Sequence, residues 1–166
     1  MTVVLARIDD RLVHGQVIVA WGQKLRPDRI VLASDEIAAD AWQSRVYTST
    51  IPPHIDGQVV ALAAAAGRLT SPGDWSDQRN MLLTSSPVDM LEIVESGLAL
   101  PQVNIGGMHF SDGKQEVLPF VFVDRRDLAA LRGLVAAGAR LVAQQVPASR
   151  SVVLTEEKLC RLEENF

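Results

Sequence analysis

At 166 residues, with 48% hydrophobic and 22% charged side chains, the chain is long enough to bury a sizeable core and too apolar to be disordered. Its formal net charge of −4 excludes general nucleic-acid binding, which needs a basic surface. The single cysteine, Cys160, excludes an intrachain disulfide and a thiolate metal cluster. No opening stretch carries the charged, apolar and small-residue parts of a signal peptide. No apolar run approaches the ~20 residues that span a bilayer, so the expectation is a soluble, cytoplasmic protein.

Short apolar, β-branched runs alternate with helical patterns along the chain. Strands are predicted over residues 3–8, 29–34, 58–62, 80–85, 102–106, 118–124 and 139–146. Helices are predicted over 15–24, 36–47, 88–96 and 126–137, with a closing helix over 155–162 that Thr155 caps. Leu128, Leu131, Leu134 and Val135 make the clearest amphipathic face. Near-continuous apolar strands alternating with helices predict an α/β fold: an open, twisted, mostly parallel sheet with helices on both faces. Pro52-Pro53 and Ser71-Pro72-Gly73-Asp74 punctuate single connections and do not divide the chain, so residues 1–166 are read as one domain.

The first strand runs into Arg7-Ile8-Asp9-Asp10-Arg11-Leu12-Val13-His14-Gly15-Gln16-Val17, which puts a histidine on a strand-to-helix turn. An imidazole there suits phosphoryl carriage. Its ordinary pKa of ~6.5 leaves a neutral nucleophilic nitrogen. Arg11 offers a bidentate fork for phosphate oxygens, and Gly15 and Gln16 offer backbone N–H groups at a helix start. The residues by themselves leave open an ordinary solvent-exposed loop histidine, and a solvated Arg11. Asp10 is placed to orient the loop or bond the imidazole, facing away from any phosphate; Asp9 reads as a turn cap.

Parallel sheets place ligands beyond the carboxyl ends of their strands. That rule gathers His14, Thr84-Ser85-Ser86 and Gly106-Gly107-Met108 at one sheet edge. For Thr84 and Ser85, contact with a phosphoryl group and a purely structural role both stand. Ser86 before Pro87 reads as a helix N-cap. Gly106 and Gly107 allow close backbone approach or a tight turn. His109 reads as a loop or packing residue, His54 as a surface residue. Trp21 and Trp42 read as core or interface anchors. Leu12 and Val13 either face a partner or pack under the loop.

The string "ARIDDRLVHGQV" closely resembles the opening of the enzyme IIB components of bacterial sugar phosphotransferase systems, in the mannose/fructose/sorbose family. The resemblance continues through "VLASDEIAAD", "MLLTSSPVDMLEIVESG", "VNIGGMHFSDGK" and "VFVDRRDLAALRGLVAAGARLVAQQVP", covering nearly the whole length. It implies that His14 takes a phosphoryl group on Nδ1 from a histidine of a IIA protein. The group then passes to a sugar held by a membrane IIC/IID complex. Arg11 would be the phosphate clamp, with Asp10, Gly15, Gln16, Thr84, Ser85, Gly106 and Gly107 forming the surrounding site. The resemblance implies no metal or organic cofactor, association with IIC/IID at the membrane, and a homodimer as an ordinary state. A regulatory phospho-relay protein of an incomplete system, without sugar transport, is the alternative. A flavodoxin-like nucleotide-binding module is opposed by the absence of any P-loop or dinucleotide glycine fingerprint.

Overall fold

A computed structural model describes residues 3–73 and 75–166; Met1, Thr2, Asp74 of the expected turn and the side chain of Gln16 lie outside the described residues. The elements run β1 (Val3–Asp9), α1 (Gly15–Leu25), β2 (Arg29–Ala33), α2 (Asp35–Ala38), α3 (Ala41–Ser49), β3 (Asp56–Val60) and α4 (Leu62–Thr70). They continue with β4 (Asn80–Thr84), α5 (Pro87–Glu95), β5 (Gln102–Gly107), β6 (Gln115–Leu118), β7 (Val121–Val123) and α6 (Arg125–Ala136). Last come β8 (Arg140–Ala143), β9 (Val152–Leu154) and α7 (Glu156–Glu163).

Seven strands form one sheet in the order β3-β2-β4-β1-β5-β8-β9. Every neighbouring pair is parallel except β8 with β9. The predicted open, mostly parallel sheet is therefore what forms, with an antiparallel edge strand added. Strand alternation sends Leu5, Leu83 and Met81 to one face, where they pack with Val17, Ile18 and Trp21 of α1. Ile8, Leu82 and Ile105 go to the other face, under Met90 and Ile93 of α5 and Leu128, Leu131 and Leu134 of α6. Burying each such side chain contributes roughly 1.5–3 kcal/mol, and a register slip of one residue would send each set into the opposite, differently shaped core.

Three local readings are corrected. The predicted helix over 36–47 is two helices. Ser34 caps α2 through Ile37 N–H at 3.3 Å, and the Asp40 carboxylate caps α3 by accepting from Trp42 N–H at 2.9 Å and Gln43 N–H at 3.1 Å. A capping carboxylate favours the extended backbone of a helix start over the interior of a longer one. The predicted strand over 118–124 is instead the β6–β7 hairpin, which forms a separate two-stranded sheet. Residues 63–70, unassigned from the sequence, form α4 together with Leu62 of the predicted strand over 58–62, and its buried stripe is Leu62, Ala65, Ala66 and Leu69.

The connection leaving β1 leads outward to β2, whereas the connection leaving β4 leads to β5 on the far side of β1. The carboxyl edge at β1 is thus a switch point, where outgoing chains part and leave a crevice. Among the described residues no helix is long and apolar enough to cross a membrane.

Candidate active site

The end of β1 carries a charge where a strand buried on both faces should be apolar. Arg7 is fully buried, with 0% exposure, on the face that α1 covers. Taking a guanidinium out of water costs several kcal/mol unless its N–H groups find acceptors. Nη1 donates to the Gln144 carbonyl at 3.0 Å and to Asn104 Oδ1. Nη2 donates to Asp9 Oδ2 at 2.8 Å and to the Gln145 carbonyl at 2.9 Å. The guanidinium lies 5.7 Å from the centroid of Trp21, whose indole N–H donates to the same Gln145 carbonyl at 3.2 Å. One buried cation therefore ties β1 to β5, to the segment after β8 and to α1.

Asp9 faces the same way and serves two arginines. Besides Arg7 it holds Arg11 in a fork: Nε to Oδ1 at 3.0 Å and Nη2 to Oδ2 at 3.0 Å, with the Arg11 backbone N–H on Oδ1 at 3.1 Å. Burial pushes the Asp9 carboxyl pKa up, but the Arg11 hydrogen bonds and the Arg7 charge outweigh it and hold it below the ordinary carboxylate value. Asp9 also caps the turn expected of it, its carbonyl accepting from Leu12 N–H at 2.9 Å. Arg11, the expected clamp, keeps a partly open guanidinium with 34% side-chain exposure; its bond to Asp9 raises its pKa above the ordinary arginine value.

Leu12 turns the chain in the left-handed region at φ +55°, a conformation that costs a non-glycine residue about 1–2 kcal/mol. Burial of Leu12 and Val13 beneath the loop offsets this, so these two pack under the loop and do not face outward. His14 follows as the N-cap residue of α1 with extended backbone, and its side chain makes no capping hydrogen bond. Its Nδ1 is buried without a hydrogen-bond partner among the described residues. Burial, then the positive charge of Arg11, lowers the His14 pKa below the ordinary imidazole value. The ring is thereby kept neutral with a nitrogen unoccupied, beside a helix start formed by Gly15 and Gln16 whose first turn holds no acidic residue.

The parallel register brings the other strand ends alongside: Ile8 pairs with Thr84, and Asp9 with Gly107. The hydroxyls of the Thr84 loop are engaged locally. Thr84 is fully buried and donates to the Ser86 carbonyl at 3.1 Å, and Ser85 donates to Asp89 Oδ2 at 3.1 Å. Ser86 is the N-cap of α5, accepting from Asp89 N–H at 3.1 Å, with Pro87 at the helix start. Of the two glycines, Gly106 is required by contact, since a Cβ there would lie 1.9 Å from Arg7 Cζ. At Gly107 a Cβ would lie 3.1 Å from Arg11 Nη2. Asp10 turns toward β5: its N–H donates to the Gly107 carbonyl at 3.1 Å, and its carboxylate meets His109.

Arg7, Asn104 and His109 were not singled out from the sequence as site residues. Only Arg7 carried a signal, a lone charge inside an apolar strand. A recess of about 190 Å³ lies beside Arg11, lined also by Gly107, Met108, His109, Phe120 and Gln145. A larger open one of about 750 Å³ borders the start of α1, lined by Gly15, Val19, Ala20, Gln23, Val146 and Pro147. Trp21 is a core residue, whereas Trp42 stands 67% exposed on α3.

Residues 3–164 match the family described as the sorbose-subfamily IIB component of the PTS system. The chain is similar to the mannose-specific EIIAB component of the PTS of Escherichia coli (strain K12), 39% identical over 146 residues that cover 88% of this chain and 45% of that protein. It therefore spans less than half the length of that relative. It is 33% identical over 151 residues to the fructose-specific EIIB component of Bacillus subtilis (strain 168), covering 91% of this chain and 92% of that one. Its fold superposes on the IIB domain of the sorbose permease of Klebsiella pneumoniae with a TM-score of 0.88 and 31% identity, covering 100% of this chain and 99% of the other.

Proposed function

The chain belongs to the sorbose-subfamily IIB components of the sugar phosphotransferase system, and from that premise we propose that residues 1–166 act as one cytoplasmic phosphocarrier unit whose acceptor is His14. The observation that carries this reading is the buried, unpartnered Nδ1 of His14 on a ring held neutral next to Arg11.

In this reading the Nδ1 lone pair attacks the phosphorus of a phosphohistidine on a IIA protein. The donor N–P bond breaks as the new one forms. Charge is spread over the phosphoryl oxygens in the transition state, so positioning and electrostatics supply the acceleration. Arg11 exchanges part of its fork on Asp9 for two of those oxygens. The backbone N–H groups of Gly15 and Gln16 receive others at the helix start. In the second half-reaction a sugar hydroxyl, presented by a membrane IIC/IID complex, attacks phosphorus and its proton ends on the freed imidazole. Gly106 and Gly107 permit the close approach of β5 to both arginines, and Thr84 and Ser85 brace the neighbouring loop through their local hydrogen bonds. The open recess along α1 from Gly15 to Gln23 supports contact with the protein donor there.

The test is incubation with phosphoenolpyruvate, the general phosphotransferase proteins and a mannose-type IIA protein, followed by mass mapping of the label. Phosphate on His14 in the wild type, and none in His14→Gln, is the expected result. Acid-labile label on His54, His109 or Cys160 instead removes His14 from the role.

A further inference from the structure

The Asp10–His109 pair is not used by the chemistry above, yet it holds the loop that carries His14. His109 donates its backbone N–H to Asp10 Oδ2 at 2.6 Å, and its ring Nδ1 meets Asp10 Oδ1 at 2.6 Å. A carboxylate only accepts, so in this pair Nδ1 carries the proton. Asp10 N–H in turn donates to the Gly107 carbonyl at 3.1 Å. The far end of the tie is firm, because Met108 N–H donates to the Phe120 carbonyl at 2.9 Å and its carbonyl accepts from Phe122 N–H at 2.9 Å. The active loop is thereby fastened to the β6–β7 hairpin.

The His109 and Asp10 side chains are 63% and 29% exposed, and an exposed pair of this kind adds little to stability. Its effect lies in where it puts a charge. Asp10 adjoins Arg11 in sequence and its charge already acts on the Arg11 guanidinium. A freed carboxylate would compete with an incoming phosphoryl group for Arg11 and would repel that group directly.

We propose that His109 is a positioning residue of the phosphotransfer site: by holding the Asp10 carboxylate on the hairpin side, it prevents that carboxylate from pairing directly with Arg11 and from approaching the phosphoryl group on His14. The proposal rests on His14 being the acceptor. It makes the stretch after β5 part of the machinery without any contact to phosphate.

The geometry selects the variants. His109→Asn places an amide N–H where Nδ1–H stands, whereas His109→Gln carries its amide one bond too far. With the full chain and a phosphorylated mannose-type IIA protein, His109→Gln should phosphorylate on His14 about two- to fivefold more slowly, a step within the reach of one exposed hydrogen-bonded pair. His109→Asn should stay near the wild-type rate, and all three proteins should melt together. Adding Asp10→Ala to His109→Gln should recover the lost rate, since no carboxylate is left to hold aside. A wild-type rate for His109→Gln, or a double variant no faster than His109→Gln alone, overturns the proposal. A wild type that takes no phosphate on His14 overturns the functional reading first, and mass mapping before any variant is compared separates the two failures.

Discussion

Arg7 and Gly106 share one space: a Cβ at position 106 would stand 1.9 Å from the Arg7 Cζ, so the buried guanidinium exists only opposite a residue without a side chain. The obstructing atoms belong to a cation held by four acceptors, and they have nowhere to move. Gly106→Ala should therefore lose roughly 3 kcal/mol or more, from overpacking and from partners torn off a buried charge. Gly107→Ala meets only the outer end of Arg11 and should keep most of its stability. Urea unfolding of both proteins checks this; equal midpoints would show that Arg7 is not fixed in place.

Among the described residues Asp9 is the only carboxylate bonded to Arg7, so Asp9→Asn leaves a buried cation without its counter-charge. Loss of about 3 kcal/mol or more is expected at neutral pH. The pH dependence has a definite sign. The folded carboxyl pKa lies below the unfolded value of about 3.9, so its contribution is full above that value and disappears as pH falls through the lower folded pKa. The stability gap between wild type and Asp9→Asn should close as the pH drops below about 4. A gap that stays constant into acid would mean Asp9 is not ionised in the fold.

The His14 ring should titrate with a midpoint below the free-imidazole value of about 6.5. Because the unfolded chain binds this proton more readily, His14 contributes stability at neutral pH that is lost as pH falls through the two values. Phosphoryl acceptance should persist on the acid side of 6.5 for the same reason. Arg11→Ala removes a positive neighbour and should move the midpoint upward. Ring-proton resonances followed by NMR decide it, and a wild-type midpoint above 6.5 contradicts the assignment.

Arg11→Ala should slow transfer to His14 by about 2–3 kcal/mol in barrier, with each 1.36 kcal/mol being tenfold. Arg11→Lys should recover only part of this, since an ammonium keeps the charge but loses the fork. Quenched-flow rates are the measurement. An unimpaired Arg11→Ala leaves phosphate binding to the helix start alone.

What sequence could show of this site followed from how local each signal is. His14 lies five residues past the end of β1 and directly before α1, so a strand pattern, a turn and a helix pattern locate it. The sheet's parallel character was legible for the same reason, from apolar runs separated by helical spacing. Arg7 showed only as a lone charge in an apolar strand and its role did not show, because three of its four acceptors stand 97, 137 and 138 residues away, and no window along the chain spans them. The role of His109 was hidden likewise, 99 residues from Asp10. Elsewhere the signal was diluted. α4 buries two alanines among its four core residues, which weakens the apolar stripe, and the β6–β7 hairpin turns through Pro119-Phe120 between strands of only four and three residues.

The span between Arg7 and the Gln144 and Gln145 carbonyls also sets an order of events. A chain still being synthesised has β1, α1 and the His14 turn long before it has the acceptors that let Arg7 enter the interior. Until the segment after β8 arrives, the guanidinium must remain hydrated, and Asp9 has no fixed cation against which to orient Arg11. In its proposed role His14, which precedes those acceptors by about 130 residues, would thus become competent only when the last third of the sheet has docked, and phosphate uptake would report on whole-sheet assembly, not on the folding of the loop that bears it.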